Sequence, residues 1–272
     1  MAMVTDEQVA DFDARGFIVL RRAFDPGPLS AEVDQALREG LQGGFSARLG
    51  DGEVQGHYVP MMTARTPVSR ALLDRLAGPA ARLLGGPVLP TRAKAVRYLG
   101  DTPWHVDSSL AVASVGVAAY LEPLTGERGA LRVLPGSHRP ELAAAARAVG
   151  TAKDGPPGHV VATEPGDLIF FDEHLLHASA GGAVRRQWRI DYLRDPESAD
   201  AEAEVRRYFA GIFPPTWDGG HDVDLYPSYG PDWSTSRSPA AARLAALGVY
   251  ALAAAQEAFV RSRRGPSITS TG

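Results

Sequence analysis

The sequence contains no cysteine, and this absence excludes disulfide bonds, thiolate zinc sites and cysteine nucleophiles. A metal ion would therefore have to be held by histidine and carboxylate side chains. Lysine occurs only at Lys94 and Lys153, and a net charge of −4 gives no electrostatic reason to expect nucleic acid as a partner. We therefore expect no nucleic-acid function.

Long hydrophobic runs are also missing. The longest one, residues 110–121, is too short to cross a bilayer and is typical of a buried strand. The polar, acidic start of the chain does not have the pattern of a secretion signal. We therefore expect a cytoplasmic monomer or homodimer with no membrane partner.

The 272 residues are enough to bury a sizeable core. Residues 1–87 have helical patterns, whereas residues 88–194 contain short apolar runs separated by turn signals such as Pro135-Gly136 and Pro165-Gly166. A helix is inserted near 141–149, and residues 195–272 are again helical and loop-rich. The sequence predicts one domain, 1–272, with helices around a β-sandwich or open barrel.

The most informative pattern is a histidine and an aspartate two residues apart, followed by a histidine on a later strand. His105 and Asp107 point to the same side if the strand is extended. His177 can complete three ligands on one face of a metal, which is the ligand set of non-haem Fe(II) oxygenases. His174 lies three residues before His177, so on a strand it faces the other way and is not expected to be a ligand.

An arginine beyond the second histidine can hold the far carboxylate of a dicarboxylate co-substrate, because a guanidinium binds carboxylates in a bidentate manner. Arg185, Arg186 and Arg189 all compete for this role. A two-residue hairpin at Gly181-Gly182 would pair His177 with Arg186 on one face, which favours Arg186. A shift of one residue in the turn would move the choice to Arg185 or Arg189.

The chain resembles the phytanoyl-CoA dioxygenase family of Fe(II)/2-oxoglutarate oxygenases over nearly its whole length. Residues 5–20 are similar to the opening helix and strand of that family, and Trp-His-Val-Asp at 104–107 to its first metal motif. Pro-Gly-Ser-His at 135–138 and the segment 166–179 also match, in the same order. These motifs are specific together, although each is weak alone.

The resemblance implies a mainly β fold with flanking helices, built on a double-stranded β-helix (jelly-roll, cupin-like) core. It implies that His105, Asp107 and His177 bind Fe(II) and are the catalytic residues, and that 2-oxoglutarate and O2 are co-substrates. It also implies that Ser179 lines the 2-oxoglutarate site together with the arginine, taken here as Arg186.

We therefore predict a dioxygenase that oxidises, by default hydroxylates, a small-molecule metabolite in bacterial natural-product biosynthesis. The alternative is a barrel that binds a metal or ligand without turnover. The segment around His57, Tyr58, Met61 and Met62 either lines a substrate pocket or is a solvated loop.

Overall fold

Two antiparallel β-sheets form the centre of the molecule, which is known from a computed structural model that describes residues 4–41, 47–48, 55–150, 158–182 and 184–264. The strands are β1 (Phe17–Leu20), β2 (Ala47–Arg48), β3 (Gln55–Pro60), β4 (Val88–Pro90), β5 (Lys94–Leu99), β6 (Thr102–His105), β7 (Ser114–Tyr120), β8 (Leu131–Val133), β9 (His159–Val161), β10 (Leu168–Asp172), β11 (His177–Ser179) and β12 (Arg185–Arg194). The helices are α1 (Asp6–Arg15), α2 (Pro26–Gly40), α3 (Pro67–Leu83), α4 (Pro140–Gly150), α5 (Ala199–Ile212), α6 (Pro231–Ser234), α7 (Pro239–Ala246) and α8 (Val249–Arg264).

The larger sheet has the strand order β1-β10-β7-β12-β5-β3-β2, with β4 also paired to β12. The smaller sheet has the order β6-β11-β8-β9. Neighbouring strands in space are mostly distant in sequence, so the chain passes repeatedly from one sheet to the other. This is the arrangement of a jelly-roll barrel.

Successive side chains of a strand point in opposite directions, so the larger sheet contributes apolar side chains to two separate cores. On β10, Phe170 packs outward in the core beneath the helices, whereas Phe171 packs inward between the two sheets. On β12, Trp188 and Ile190 join the outer core. The opposite face of β12 therefore looks into the barrel.

Local signals explain where the N-terminal helices begin and end. Thr5 and Gln8 form a reciprocal capping box at α1, and Gly16 ends that helix with φ 81°. The start of α3 is capped by a buried carboxylate from α2, since Glu32 accepts hydrogen bonds from the backbone N–H groups of Val68 and Ser69 at 2.8 and 2.7 Å. These contacts fix α2 and α3 against the larger sheet.

The predicted fold class, a mainly β jelly roll with flanking helices, is confirmed, and the inserted helix appears as α4. Residues 43–60 are rich in glycine and polar side chains, which predicts a loop. Residues 43–46 and 49–54 of this stretch lie outside the described residues, and the prediction is wrong for residues 47–48, which form β2, and for residues 55–60. There β3 pairs with β5, as in the pair His57–Arg97. The domain boundaries stay a prediction.

No single described helix has both the length and the apolar composition needed to cross a membrane. Helices α7 and α8 meet those two criteria only as a pair, and they are bent by 71° at their junction.

Candidate metal centre

His105, Asp107 and His177 come together at the mouth of the barrel. One ligand atom from each lies within 4.8 Å of the others. Strands β6 and β11 are paired so that His105 is directly opposite His177, and the two imidazole centroids are 4.2 Å apart. Asp107 follows β6 in a bend held by its backbone N–H, which donates to the Glu173 carbonyl at 2.9 Å. The predicted ligands are thus adjacent in space.

Both imidazoles are oriented by their backbone. His105 Nδ1 donates to the Pro103 carbonyl and His177 Nδ1 donates to the Leu175 carbonyl, each at 2.8 Å. The Nε2 atoms therefore carry the lone pairs and face Asp107, at 3.4 Å from its Oδ1 for His105 and 3.6 Å from its Oδ2 for His177. Two nitrogen donors and one carboxylate on one side suit a ferrous ion that keeps open coordination positions.

The pKa shifts of His177 and Asp107 favour metal binding, whereas that of His105 opposes it. Burial lowers the pKa of His177 to about 4, so its Nε2 is unprotonated at neutral pH. Burial alone would raise the pKa of Asp107, but the Arg189 guanidinium and the two imidazoles hold it well below its usual range. Burial alone would lower the pKa of His105, but the hydrogen bond to Asp107 and the charge of that carboxylate raise it.

Arg189 holds the carboxylate of Asp107 in place. Its Nη2 atom donates to Asp107 Oδ2 at 2.7 Å, and the same atom lies 2.7 Å from Asp191 Oδ1. The guanidinium occupies space left by Gly116 on β7, where a Cβ atom would be 2.8 Å from Arg189 Nη2 and 2.9 Å from Phe171 Cζ. A glycine inside a buried strand is unfavourable, and the guanidinium gives this one a physical reason.

A narrow cavity beside the triad contains a second buried cation, Arg185. Its side chain is 1% exposed and donates to the Gly100 carbonyl at 2.9 Å and to Thr102 Oγ1 at 3.2 Å. Ser179 lies opposite Thr102 in the strand pairing and also lines this cavity. A guanidinium and two hydroxyls next to three metal ligands fit a dicarboxylate that reaches the metal.

Arg186 does not lie in that cavity. Its Nε donates to Glu122 Oε1 at 2.5 Å, and its Nη1 pairs with Asp34 on α2. The predicted pairing of His177 with Arg186 is wrong, since β11 pairs with β6 and β8, whereas β12 pairs with β5 and β7. The predicted alternation along β12 is correct, but the face that looks inward is that of Arg185 and Arg189.

A larger cavity of about 410 Å³ opens next to the metal centre. The two cavities share Tyr98, Asp107 and Arg189. Helix α5 supplies one wall of the larger cavity, where the Tyr208 hydroxyl lies 3.0 and 2.9 Å from the two oxygens of Glu173. Burial and the nearby carboxylates of Asp191 and Asp107 raise the pKa of Glu173 above its ordinary value.

Other histidines considered from the sequence are engaged elsewhere. His174 Nδ1 lies 2.7 Å from Asp172 Oδ1, and its Nε2 lies 2.7 Å from the Leu110 carbonyl, so it is not among the three clustered ligands. His57 is buried, with its Nδ1 3.5 Å from Arg97 Nη2. Of the segment around it, Tyr58 lines an outer cleft, whereas Met61 and Met62 lie in the core.

The family comparison agrees with this geometry. The model of the phytanoyl-CoA dioxygenase (PhyH) family matches residues 12–187, which is more than half of the chain and includes all three ligands. The chain belongs to the phytanoyl-CoA dioxygenase family. The prediction of a non-haem Fe(II)/2-oxoglutarate-dependent oxygenase is confirmed at the level of the family.

Solved structures resemble this PhyH-family chain in fold. EvdMO1 is 23% identical with a TM-score of 0.53 over 70% of this chain and 50% of EvdMO1, so the chain spans about half the length of that protein. HygX from Streptomyces hygroscopicus, solved with nickel and 2-oxoglutarate bound, is 20% identical with a TM-score of 0.54 over 72% of this chain and 93% of HygX. The alpha-ketoglutarate-dependent epimerase SnoN from nogalamycin biosynthesis is 20% identical with a TM-score of 0.55 over 72% of this chain and 88% of SnoN. No curated protein matches the chain by sequence.

The sequence offered Arg185 as an alternative to Arg186, but it contained no indication of Thr102 beside Arg185 or of the contact between Arg189 and Asp107. The alternation along β12 had already separated Arg186 from Arg185 and Arg189. Trp188 and Ile190 are apolar and share the face of Arg186. This apolar face packs beneath the helices, so the opposite face, with Arg185 and Arg189, is the one that points inward.

Proposed function

We propose that this PhyH-family chain is an Fe(II)/2-oxoglutarate-dependent dioxygenase that hydroxylates a small-molecule metabolite, in a tailoring step of bacterial natural-product biosynthesis. The proposal rests on one observation: His105, Asp107 and His177 place one ligand atom each within 4.8 Å of the others, next to the buried Arg185. The biosynthetic setting is supported by the similarity to SnoN, which is named for nogalamycin biosynthesis. A cytoplasmic location and a monomeric or homodimeric state stay predictions.

The three ligands would hold iron through His105 Nε2, His177 Nε2 and a carboxylate oxygen of Asp107. Iron together with 2-oxoglutarate supplies the oxidising chemistry, with succinate and carbon dioxide as by-products. The chain contributes the geometry. Arg189 keeps Asp107 from turning away, because it donates to Oδ2 of that carboxylate at 2.7 Å.

We assign the far carboxylate of 2-oxoglutarate to Arg185, with Thr102 and Ser179 as neutral hydroxyl partners, in place of Arg186. Arg185 is buried in the cavity that contains the triad, whereas Arg186 is already paired with Glu122 and Asp34. A buried guanidinium binds a carboxylate strongly, since little water competes for its donors. The cavity of about 410 Å³ on the other side of Asp107 is left for the substrate.

The test measures succinate formed from 2-oxoglutarate in the presence of Fe(II), O2 and ascorbate, together with anaerobic Fe(II) binding. Wild-type protein is expected to bind one iron and to form succinate. His177→Ala should lose both properties, because only two of the three donors remain. His174→Ala is the matched control and should keep iron binding, since that imidazole bonds to Asp172 and Leu110 instead.

Two results would contradict the proposal. Iron bound equally well by His177→Ala would show that the triad is not the metal site. Iron bound by the wild type without any succinate, across a panel of small polar metabolites, would favour a barrel that binds metal without turnover.

A further inference from the structure

The larger cavity has an uneven distribution of charge. Its acidic side chains are Asp107, Asp191 and Glu173, and all three lie close to Arg189 at the inner end, with Nη2 to oxygen distances of 2.7, 2.7 and 3.6 Å. Arg92 and Lys94 line the outer wall, where the cavity continues into a second cleft, and the remaining cation of the lining, Arg207, is paired with Glu204. The negative charge of the cavity is therefore compensated near the metal centre, whereas the outer wall is cationic.

Arg92 is the unusual member of that wall. It is 5% exposed, and its guanidinium lies 5.1 Å from the ring centroids of both Tyr58 and Phe213. Its Nη1 donates to Ser228 Oγ at 3.0 Å, and its buried Nε has no hydrogen-bond partner. Within the described ranges, no acidic side chain forms an ion pair with it. A buried, unpaired charge is costly, and buried charges in proteins are normally paired.

The acidic residue beyond Ser228, Glu257, interacts with Arg92 through its charge but forms no direct ion pair with it. Glu257 accepts a hydrogen bond from the Ser228 backbone N–H at 2.8 Å and pairs with Arg261 at 3.5 Å. Arg92 therefore faces neutral or aromatic groups directly, with open cavity on the remaining side. An anion that enters the cavity would meet the unsatisfied guanidinium.

Lys94 stands beside Arg92 and lines the same two spaces, the larger cavity and the outer cleft that continues to Tyr58 and Trp217. Its Nζ is 3.6 Å from Asp191 Oδ2, whereas Arg189 contacts the other oxygen, Oδ1, of the same carboxylate. Neither Arg92 nor Lys94 lines the narrow cavity of Arg185 and the triad. They are thus separate from the residues assigned to 2-oxoglutarate.

We infer that the substrate is a small molecule with an oxyanion group, a carboxylate or a phosphate, which Arg92 and Lys94 bind at the outer end of the cavity. The group to be oxidised then lies at the inner end, near Asp107. This inference rests on the proposed function, since it names the class of substrate for the same site. It accounts for a buried arginine that makes no direct ion pair with any described carboxylate.

The test titrates the metal-free full-length protein with inorganic phosphate, and separately with acetate, at constant ionic strength maintained with chloride. The temperature of unfolding reports binding. Wild-type protein should show a saturable rise with at least one of the two anions, and the more effective anion indicates the group that the substrate carries. No saturable rise with either anion would overturn the inference.

Matched variants locate the bound anion. Arg92→Met should weaken the apparent affinity by about tenfold or more, since charge-assisted hydrogen bonds are lost. Arg185→Met should keep the affinity, because that cation belongs to the other cavity. Arg206→Gln, an exposed residue of α5 that pairs with Glu202, controls for surface charge and should also keep it. Loss of phosphate binding in Arg185→Met with retention in Arg92→Met would overturn the inference.

The unfolding temperature of Arg92→Met distinguishes anion binding from a purely structural role of this arginine. Without added anion, Arg92→Met should unfold at the wild-type temperature or above it, because an unpaired buried charge is removed; a clear decrease would mean that the arginine serves the fold. If that variant does not fold, Lys94→Met carries the test, since Lys94 is partly exposed, and an unchanged phosphate affinity would then overturn the inference. Iron-dependent succinate formation is measured separately, so either proposal can fail alone.

Discussion

Arg185 and Arg186 are neighbours in the chain, yet their side chains leave β12 on opposite faces. Arg185 enters the barrel and contacts Gly100 and Thr102, whereas Arg186 reaches Glu122 and Asp34 beneath α2. The same residue type therefore serves two purposes, one in the candidate site and one in joining a helix to a sheet. The position of each arginine along β12 decides which of the two purposes it serves.

Substitution of the two arginines separates these purposes. Arg185→Met should raise the dissociation constant of 2-oxoglutarate by about 30-fold, which corresponds to roughly 2 kcal/mol for a lost charge-assisted hydrogen-bond pair. Arg186→Met should leave that constant unchanged and lower the free energy of unfolding by about 1 kcal/mol, since its ion pairs are only partly buried. Anaerobic calorimetric titration of the Fe(II)-loaded protein measures the first quantity and urea unfolding the second. If Arg186→Met weakened 2-oxoglutarate binding and Arg185→Met did not, Arg186 would be the residue that binds the co-substrate.

The sequence was sufficient to predict that His105, Asp107 and His177 lie together, because the decisive information is local. His105 and Asp107 are two residues apart, and only His177 follows on a buried strand with the right motif around it. The arginine was different, because strand alternation separates two faces without saying which one points inward. That choice depends on what packs outside the sheet, and the outer core around Trp188 is built from distant helices.

At the scale of elements, the connection between β11 and β12 shows why local turn chemistry misled the prediction. Gly181-Gly182 between two apolar segments is a typical hairpin signal, but here the chain crosses from the small sheet to the large one. The Gly182 backbone N–H donates to Asp101 Oδ1 at 2.6 Å, so the turn docks on the connection between β5 and β6. No local pattern distinguishes such a crossover from a hairpin.

A second connection gives a pH-dependent prediction. Asp167 precedes β10 and accepts hydrogen bonds from Arg22 N–H, Glu164 N–H and Arg21 Nη1 at 2.9, 3.0 and 2.7 Å, which ties the end of β1 to the turn before β10. Burial alone would raise the pKa of Asp167, but these backbone and arginine donors lower it below the ordinary 3.8. A carboxyl group with a lowered folded-state pKa stabilises the fold above its unfolded pKa, and that contribution disappears as the pH falls.

We therefore expect Asp167→Asn to reduce the free energy of unfolding by about 2 kcal/mol at pH 7, since one charged acceptor becomes neutral. The difference between variant and wild type should shrink as the pH falls below 3.8, through the lowered folded-state pKa. Urea unfolding of both proteins at a series of pH values measures this difference in the free energy of unfolding. If the difference in the free energy of unfolding stayed constant down to the acid transition, the charge of Asp167 would not be what stabilises the contact between the end of β1 and the turn before β10.

For the whole molecule, the main consequence of the topology is that the two sheets contribute different parts of the candidate site. His105 and His177 lie on β6 and β11 of the small sheet, whereas Arg185 lies on β12 of the large sheet. Bound iron would thus attach to the small sheet, and 2-oxoglutarate would bridge that iron and the large sheet. Ligand binding should therefore be cooperative, because each ligand orders a cavity that the other shares.

Unfolding temperatures measured with Ni(II), a redox-inert substitute for iron, test this bridge. At about 100 times its dissociation constant a ligand adds about 2.7 kcal/mol to the free energy of unfolding. Ni(II) alone should stabilise the protein, and Ni(II) together with 2-oxoglutarate should stabilise it by more than the sum of the two separate effects. Arg185→Met should keep the nickel effect and lose the additional one, because the link to the large sheet is removed while the three metal donors remain. If 2-oxoglutarate stabilised the wild type equally with and without nickel, the co-substrate would not be joining the two sheets through the metal, and its assignment to the cavity between the triad and Arg185 would be wrong.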